Sequence, residues 1–264
     1  MEYIKEDEAL AVSLVQAIQT GNTRSLEQLL INHPGLARVR IVQKDNSSHG
    51  TGITRTLLHV ATDWPGHFPG GAATVNLLVQ FGAEVDAPFT GPHTETPLHW
   101  AASCNDISVL DALLDAGADL EAPGAVIAGG TPLDDAVAFG QWDAARRLVE
   151  RGARMALWHA AALGRIDVIE AHFAGSRLEE RYPWGASSDS PPDKVTVAFW
   201  CACHGGQTDA AAYLLQQGAE LNWRAVWDGL TPLDAAKRSG ATDTVSWLVS
   251  QGGQSAQDGG VPRS

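Results

Sequence analysis

The sequence predicts an all-α solenoid of stacked helical hairpins, and two markers that recur in phase predict it. Thr96-Pro97-Leu98 returns as Thr131-Pro132-Leu133 and again as Thr231-Pro232-Leu233, the first spacing being 35 residues. Between these starts, leucine-rich runs end at Gly82, Gly117, Gly152, Gly218 and Gly252. Self-similarity at a fixed period of roughly 20–50 residues is the signature of a repeat architecture.

Each marker has a physical reading. Thr-Pro opens a first helix, because proline is tolerated in the first turn, where its missing N–H would be unpaired anyway. A glycine stops the second helix by accepting left-handed dihedrals. Each pair of markers thus bounds one helical hairpin, and the hairpins stack. They form one domain over 1–253. The stretch 254–264, rich in Gly, Ser and Gln without periodicity, reads as a disordered tail.

The run Thr96-Pro97-Leu98-His99-Trp100-Ala101-Ala102, closed by Gly117-Ala118-Asp119-Leu120, resembles the ankyrin repeat. The resemblance extends in degraded form over roughly 9–253 and gives seven units, near residues 9–36, 54–87, 95–123, 130–154, 155–178, 194–222 and 229–253. It implies antiparallel helix pairs joined by finger loops, with neighbours sharing a continuous core. For most bearers of the repeat it also implies binding of a partner protein through the concave face and the fingers. Departures from the pattern fall in loops: a long first finger at 37–53, an expanded turn at 63–71 and a long fifth finger at 179–195. The fifth repeat lacks the Thr-Pro start.

Composition narrows the partners. Lys and Arg number 18 against 31 Asp and Glu, a formal charge of −13 that disfavours nucleic acid and anionic membranes. A protein partner with a basic contact surface is expected instead, steered by charge. Cys104, Cys201 and Cys203 cannot all pair, which points to a reduced, cytoplasmic compartment. The acidic N-terminus does not read as a signal peptide, and no apolar run approaches the roughly 20 residues of a membrane span.

Aligning the repeats places one first-helix site, a residue beyond the motif His, at Val60, Trp100, Asp135, His159, Trp200 and Ala235. In ankyrin-like stacks that site borders the concave groove. Three and four residues further along lie Asp63 with Trp64 and Cys203 with His204, on the same helical face. Fingers add Trp184, Trp223 and Trp227, with Arg181, Arg224 and Asp228.

Two functions are therefore weighed. The first is a protein–protein interaction module that uses the groove and fingers. The alternative is a small-molecule site or unusual enzyme in which Trp64, Trp100 and Trp200 wall a pocket, joined by Asp63, His204, Trp223 and Trp227. There Asp135 and His159 would supply acid–base contacts.

Other residues read as structural. His59 and His99 orient the loops, Asp134 and Asp234 cap helices, and Cys201 is a buried thiol. Trp158, in the motif-His place of the fifth repeat, belongs to the core, and Trp142 and Trp247 pack second helices. Asp135, His159 and His204 lack close ligand spacing, so no metal is expected. Phosphate-loop, nucleophile-elbow and dinucleotide motifs are missing, so no cofactor is expected either.

Overall fold

The computed structural model describes residues 3–43, 52–183 and 192–257. The chain divides into two compact blocks, Met1–Ala136 and Val137–Ser264. The helices come in pairs. In the first block these are α1 (Ala9–Gln19) with α2 (Thr23–Asn32), α3 (Leu57–Thr62) with α4 (Gly71–Gln80), and α5 (Pro97–Ser103) with α6 (Ile107–Asp115). Helix α7 (Pro132–Ala138) begins in the first block. The second block holds α8 (Trp142–Glu150), α9 (Leu157–Ala162) with α10 (Ile166–Phe173), α11 (Lys194–His204) with α12 (Thr208–Gln216), and α13 (Pro232–Arg238) with α14 (Thr242–Ser250). Among the described residues these are six helical hairpins, with α7 and α8 at the division between the blocks.

The pairs are short because each helix is bounded at both ends by sequence. Asp106 accepts from the Val109 amide at the start of α6, as an N-cap should. At its end Gly117 takes φ 93°, and Ala118 N donates to Leu113 O at 3.0 Å. Such a left-handed stop suits glycine, which has no Cβ to clash. Each helix buries one apolar stripe. Leu14, Leu26, Leu57, Leu78, Leu98 and Leu110 are fully buried in the first block. In the second, Ala160, Ile169, Phe199, Leu214, Ala236 and Leu248 belong to one buried cluster. Burying a leucine or phenylalanine side chain is worth about 2–3 kcal/mol, so no single pair has enough apolar area to stand alone.

A small sheet accompanies the helices in the first block, which the helical repeat pattern did not anticipate. Strand β1 (Tyr3–Lys5) runs parallel to β2 (Arg40–Val42), which pairs antiparallel with β3 (Thr54–Thr56). The first finger thus begins and ends as strand. Arg40 is buried there and donates from Nε to Thr54 Oγ1 at 2.8 Å and from its guanidinium to Pro88 O.

The expanded turn at 63–71 packs against the next repeat: His67 N donates to Asp106 Oδ2 at 2.7 Å. At the other end, Ala256 N donates to Asp234 Oδ2 at 2.7 Å and Lys237 donates to Ser255. Residues 254–257 of the tail therefore lie against α13. The rest of that tail, 258–264, lies outside the described residues, as do 44–51 of the first finger, and Trp184 and 185–191 of the fifth.

Close approach of helices in the second block depends on Gly205, the residue that ends α11. A Cβ there would meet Ala162 O at 2.0 Å, the last carbonyl of α9. Gly205→Ala should lower unfolding stability by about 1–3 kcal/mol through overpacking. Gly218→Ala, with open space around its Cβ, should cost about 1 kcal/mol from backbone strain alone. Urea unfolding midpoints of the two variants should separate in that order.

Candidate partner-binding groove

The third helical position of each first helix sets the frame of the site. His99 Nδ1 accepts from Thr96 N at 3.0 Å, so its proton sits on Nε2, which donates to Gly130 O at 3.3 Å. His59 repeats this with Thr56 N at 3.3 Å and Glu95 O at 3.0 Å. One imidazole thus caps its own helix and fastens the loop that opens the next repeat. Burial pushes His59 down to about 3 and lowers His99, which keeps both rings neutral in this role. Asp134 and Asp234 replace the imidazole and accept from the hydroxyls of Thr131 and Thr231, each at 2.9 Å.

The structure sets a different register for the fifth repeat. Helix α9 has six residues where α5, α7 and α13 have seven. Counted from the helix start, His159 is third, and its Nδ1 accepts from Ala156 N at 2.9 Å. It holds the capping place that His59 and His99 hold. Trp158 precedes it in the place of Leu98, 2% exposed, its ring tilted against that of His159 with centroids 3.6 Å apart. In the sixth repeat Trp200 takes over the bridging role: its Nε1 donates to Leu230 O at 3.0 Å, the carbonyl just before Thr231. His159 and Trp200 are both 0% exposed.

In the first block, Trp100 and Asp135 meet through Glu95, a residue the repeat alignment passed over. Trp100 Nε1 donates to Glu95 Oε2 at 2.8 Å, and Val126 N donates to Glu95 Oε1 at 3.0 Å. His93 Nδ1 lies 2.9 Å from Oε2. Asp135 is 0% exposed and is faced by Glu95 and the Ile127 amide, with no donor in full hydrogen-bond geometry. Burial, with Glu95 beside it, raises its carboxyl to about 10. The one available sign was a carboxylate immediately before a Thr-Pro helix start. Asp63 pairs instead with Arg55, and Trp64 stands 81% exposed on the expanded turn.

The second block gathers the remaining candidates. Trp200 packs edge-on to Trp227 at 5.0 Å, and Trp227 tilts against Trp223 at 5.5 Å. The Arg238 guanidinium lies 5.6 Å over Trp200 and pairs with Asp228 at 2.9 Å. His204 accepts at Nδ1 from Ser239 Oγ at 3.0 Å and donates from Nε2 to Val137 O at 3.2 Å. Its ring meets Trp142 edge-on at 5.2 Å. Above this layer opens a groove of about 560 Å³ lined by Phe139, Trp142, His204, Trp227, Asp228 and Arg238. Trp142, read from sequence as packing, is half-buried at its wall, and Phe139 is 47% exposed. Trp200 lies beneath as its floor.

The hairpins, the capping imidazoles and the glycine stops all bear on identity. A family model of ankyrin repeats matches residues 14–124, 68–157 and 157–258. The chain belongs to the ankyrin repeat family. It is similar to an ankyrin repeat protein of fowlpox virus (strain NVSL), 29% identical over 153 residues, which cover 58% of this chain and 30% of the relative. This ankyrin chain therefore spans less than a third of that relative's length. Ankyrin repeats generally mediate protein–protein interaction. Among the described residues of this ankyrin protein, no helix is long and apolar enough to cross a membrane.

Burial, with Arg238 nearby, pushes His204 down to about 4. A folded value below the unfolded one, 6.5, means the neutral ring stabilises the fold above pH 6.5. That contribution is lost as pH falls from 6.5 toward 4. His204→Gln should flatten the acid limb of a stability-against-pH profile, by on the order of 3 kcal/mol at its lower end. A parallel drop in wild type and variant would mean that His204 is not a source of the acid sensitivity.

Proposed function

We propose that this ankyrin protein binds a partner protein through the aromatic groove of its second block and the finger around 222–230. One observation carries the reading. Phe139, Trp142 and Trp227 present aromatic surface in one open groove, although His204 and Trp200 beneath them are satisfied by backbone carbonyls. Aromatic side chains on a rigid floor are the residue type and setting in which binding energy concentrates. Val226, 65% exposed at the tip of the same finger, extends the apolar contact surface beyond the groove. The charge of −13 favours a partner with a basic contact surface, and the cell compartment that suits three unpaired thiols is the cytoplasm.

The small-molecule alternative draws no support from its acid–base pair. Asp135 and His159 are each 0% exposed, and the His159 Nδ1 lone pair is engaged by the Ala156 amide. General acid–base work needs a group within hydrogen-bond reach of a substrate atom.

A partner captured from the host by the full chain should lose affinity when the groove is emptied. Trp227→Ala and Phe139→Ala should each weaken binding by about tenfold or more, as truncated hot-spot aromatics do, with helical content unchanged. Raising salt should weaken binding further by slowing association. Retention of full affinity by the double variant in a binding titration would remove the groove from the account and leave the other fingers as the contact surface.

A further inference from the structure

The N-terminal block contains a second arrangement that partner binding through the groove does not use. The Glu95 and Asp135 side chains face each other within hydrogen-bond reach, and the two residues are 5% and 0% exposed. The Glu95 carboxylate accepts from Trp100 Nε1 and from the Val126 amide, and the His93 ring lies beside it. Asp135 is faced by Glu95 and by the Ile127 amide, and no donor reaches its oxygens in full hydrogen-bond geometry. Two ionised carboxylates in contact and away from water repel each other and lose hydration that one facing amide does not replace. A single proton relieves both, because a protonated Asp135 becomes a donor and Glu95 an acceptor.

The His93 ring lies on the Glu95 side of the pair, 2.9 Å from Oε2, and the groups that face Asp135 itself bring no positive charge. Asp135 faces Glu95 from the loop before α5, Asp134 from its own helix, and the backbone at Ile127 from the third finger. His99 on α5 lies near Glu95 and Asp134, and His93 borders Glu95; both belong to the same block. His99 is lowered by burial and keeps its ring neutral. The sequence has no Lys or Arg between Arg55 and Arg146. The ankyrin motif itself does not require the carboxyl either. In the otherwise equivalent start Thr231-Pro232-Leu233-Asp234, the next residue is Ala235, equally buried.

We propose that Asp135 and Glu95 share one proton and act as a latch on the third finger, residues 124–130. Glu95 holds that finger through the Val126 amide, and the finger carries Val126 itself, 52% exposed. With the proton in place the finger is pinned to α5 through Trp100 and to α7 through Asp135. Removal of the proton sets two carboxylates against each other in a dry site, and separation of the finger from α7 relieves the repulsion. The latch is therefore closed at neutral and acidic pH and opens on the alkaline side.

The sign follows from which state keeps the proton. In the unfolded chain Asp135 gives it up above its ordinary value of 3.8, whereas the folded carboxyl is raised to about 10. Between those limits the native state binds one proton more, so stability falls as pH rises. The folded-to-unfolded ratio should fall by up to about tenfold per pH unit across that window from this pair.

Infrared spectroscopy of the intact wild-type protein at pH 7.5 is the direct test. A protonated-carboxyl C=O band that disappears in Asp135→Asn is the expected result; no such band in the wild type overturns the proposal. In Asp135→Asn the carboxamide supplies a permanent donor to Glu95, so stability should become flatter with pH between 6 and 9, and amide exchange in 124–130, corrected for its intrinsic pH dependence, should no longer rise. An unchanged slope overturns the latch. Should that variant fail to fold, Glu95→Gln removes one of the two charges and keeps an acceptor for Asp135; it too should flatten the slope, and a slope equal to wild type again overturns the proposal.

Discussion

The structure depends on one interaction, complete in the second and third hairpins and kept in part elsewhere: a first-turn side chain shared between its own helix start and the loop of the next repeat. A helix start leaves amide donors without intrahelical partners, and His59 and His99 satisfy one of them with Nδ1. The opposite nitrogen, forced into the N–H form, reaches the carbonyl that precedes the next hairpin. Capping and stacking are thus the same contact. A short hairpin buries too little apolar area to persist alone, so a tie that also orders its neighbour contributes to both.

Where the sequence departs from His, Asp134 and Asp234 keep the cap, and Trp200 keeps the bridge. Trp200 keeps the bridge to the next loop through its indole N–H and fills the space with a larger ring. Its size has a consequence above it. The Trp223–Trp227 pair and Arg238 settle on the indole, and the floor of the groove results. His204, at the end of the same helix, ties the groove's other wall at Val137. The candidate site of the second block is therefore an elaboration of the repeat's structural contact, and its rigidity has the same origin.

Recognition of hairpins from the sequence was straightforward because the signals are local. Thr-Pro starts, glycine stops and the leucine period each act within a few residues, and the helices lie where those signals put them. The strands at 40–42 and 54–56 carried no comparable signal. Three-residue strands are too short for an alternating pattern, and they exist because β1 and the finger ends meet in space. His159 was legible as unusual, but its place was not. A helix one residue shorter leaves alignment from the glycine end and alignment from the helix start in disagreement, and only the hydrogen bond to Ala156 chooses between them.

By itself the sequence determined the repeat class, the acidic character and the abundance of tryptophan. Tertiary structure decided which of the unusual residues meet water. Asp135, His159 and Trp200 share a column in the alignment with Trp100, yet all three are enclosed and Phe139, Trp142 and Trp227 form the open surface. The physical reason is that exposure of a first-helix side chain depends on the loop folded over it and on the size of its neighbour one repeat away. Glu95 reaches Asp135 across 40 residues of chain, and Trp227 reaches Trp200 across 27. A local pattern places each partner on its element; only the packing of one repeat on another brings the two together.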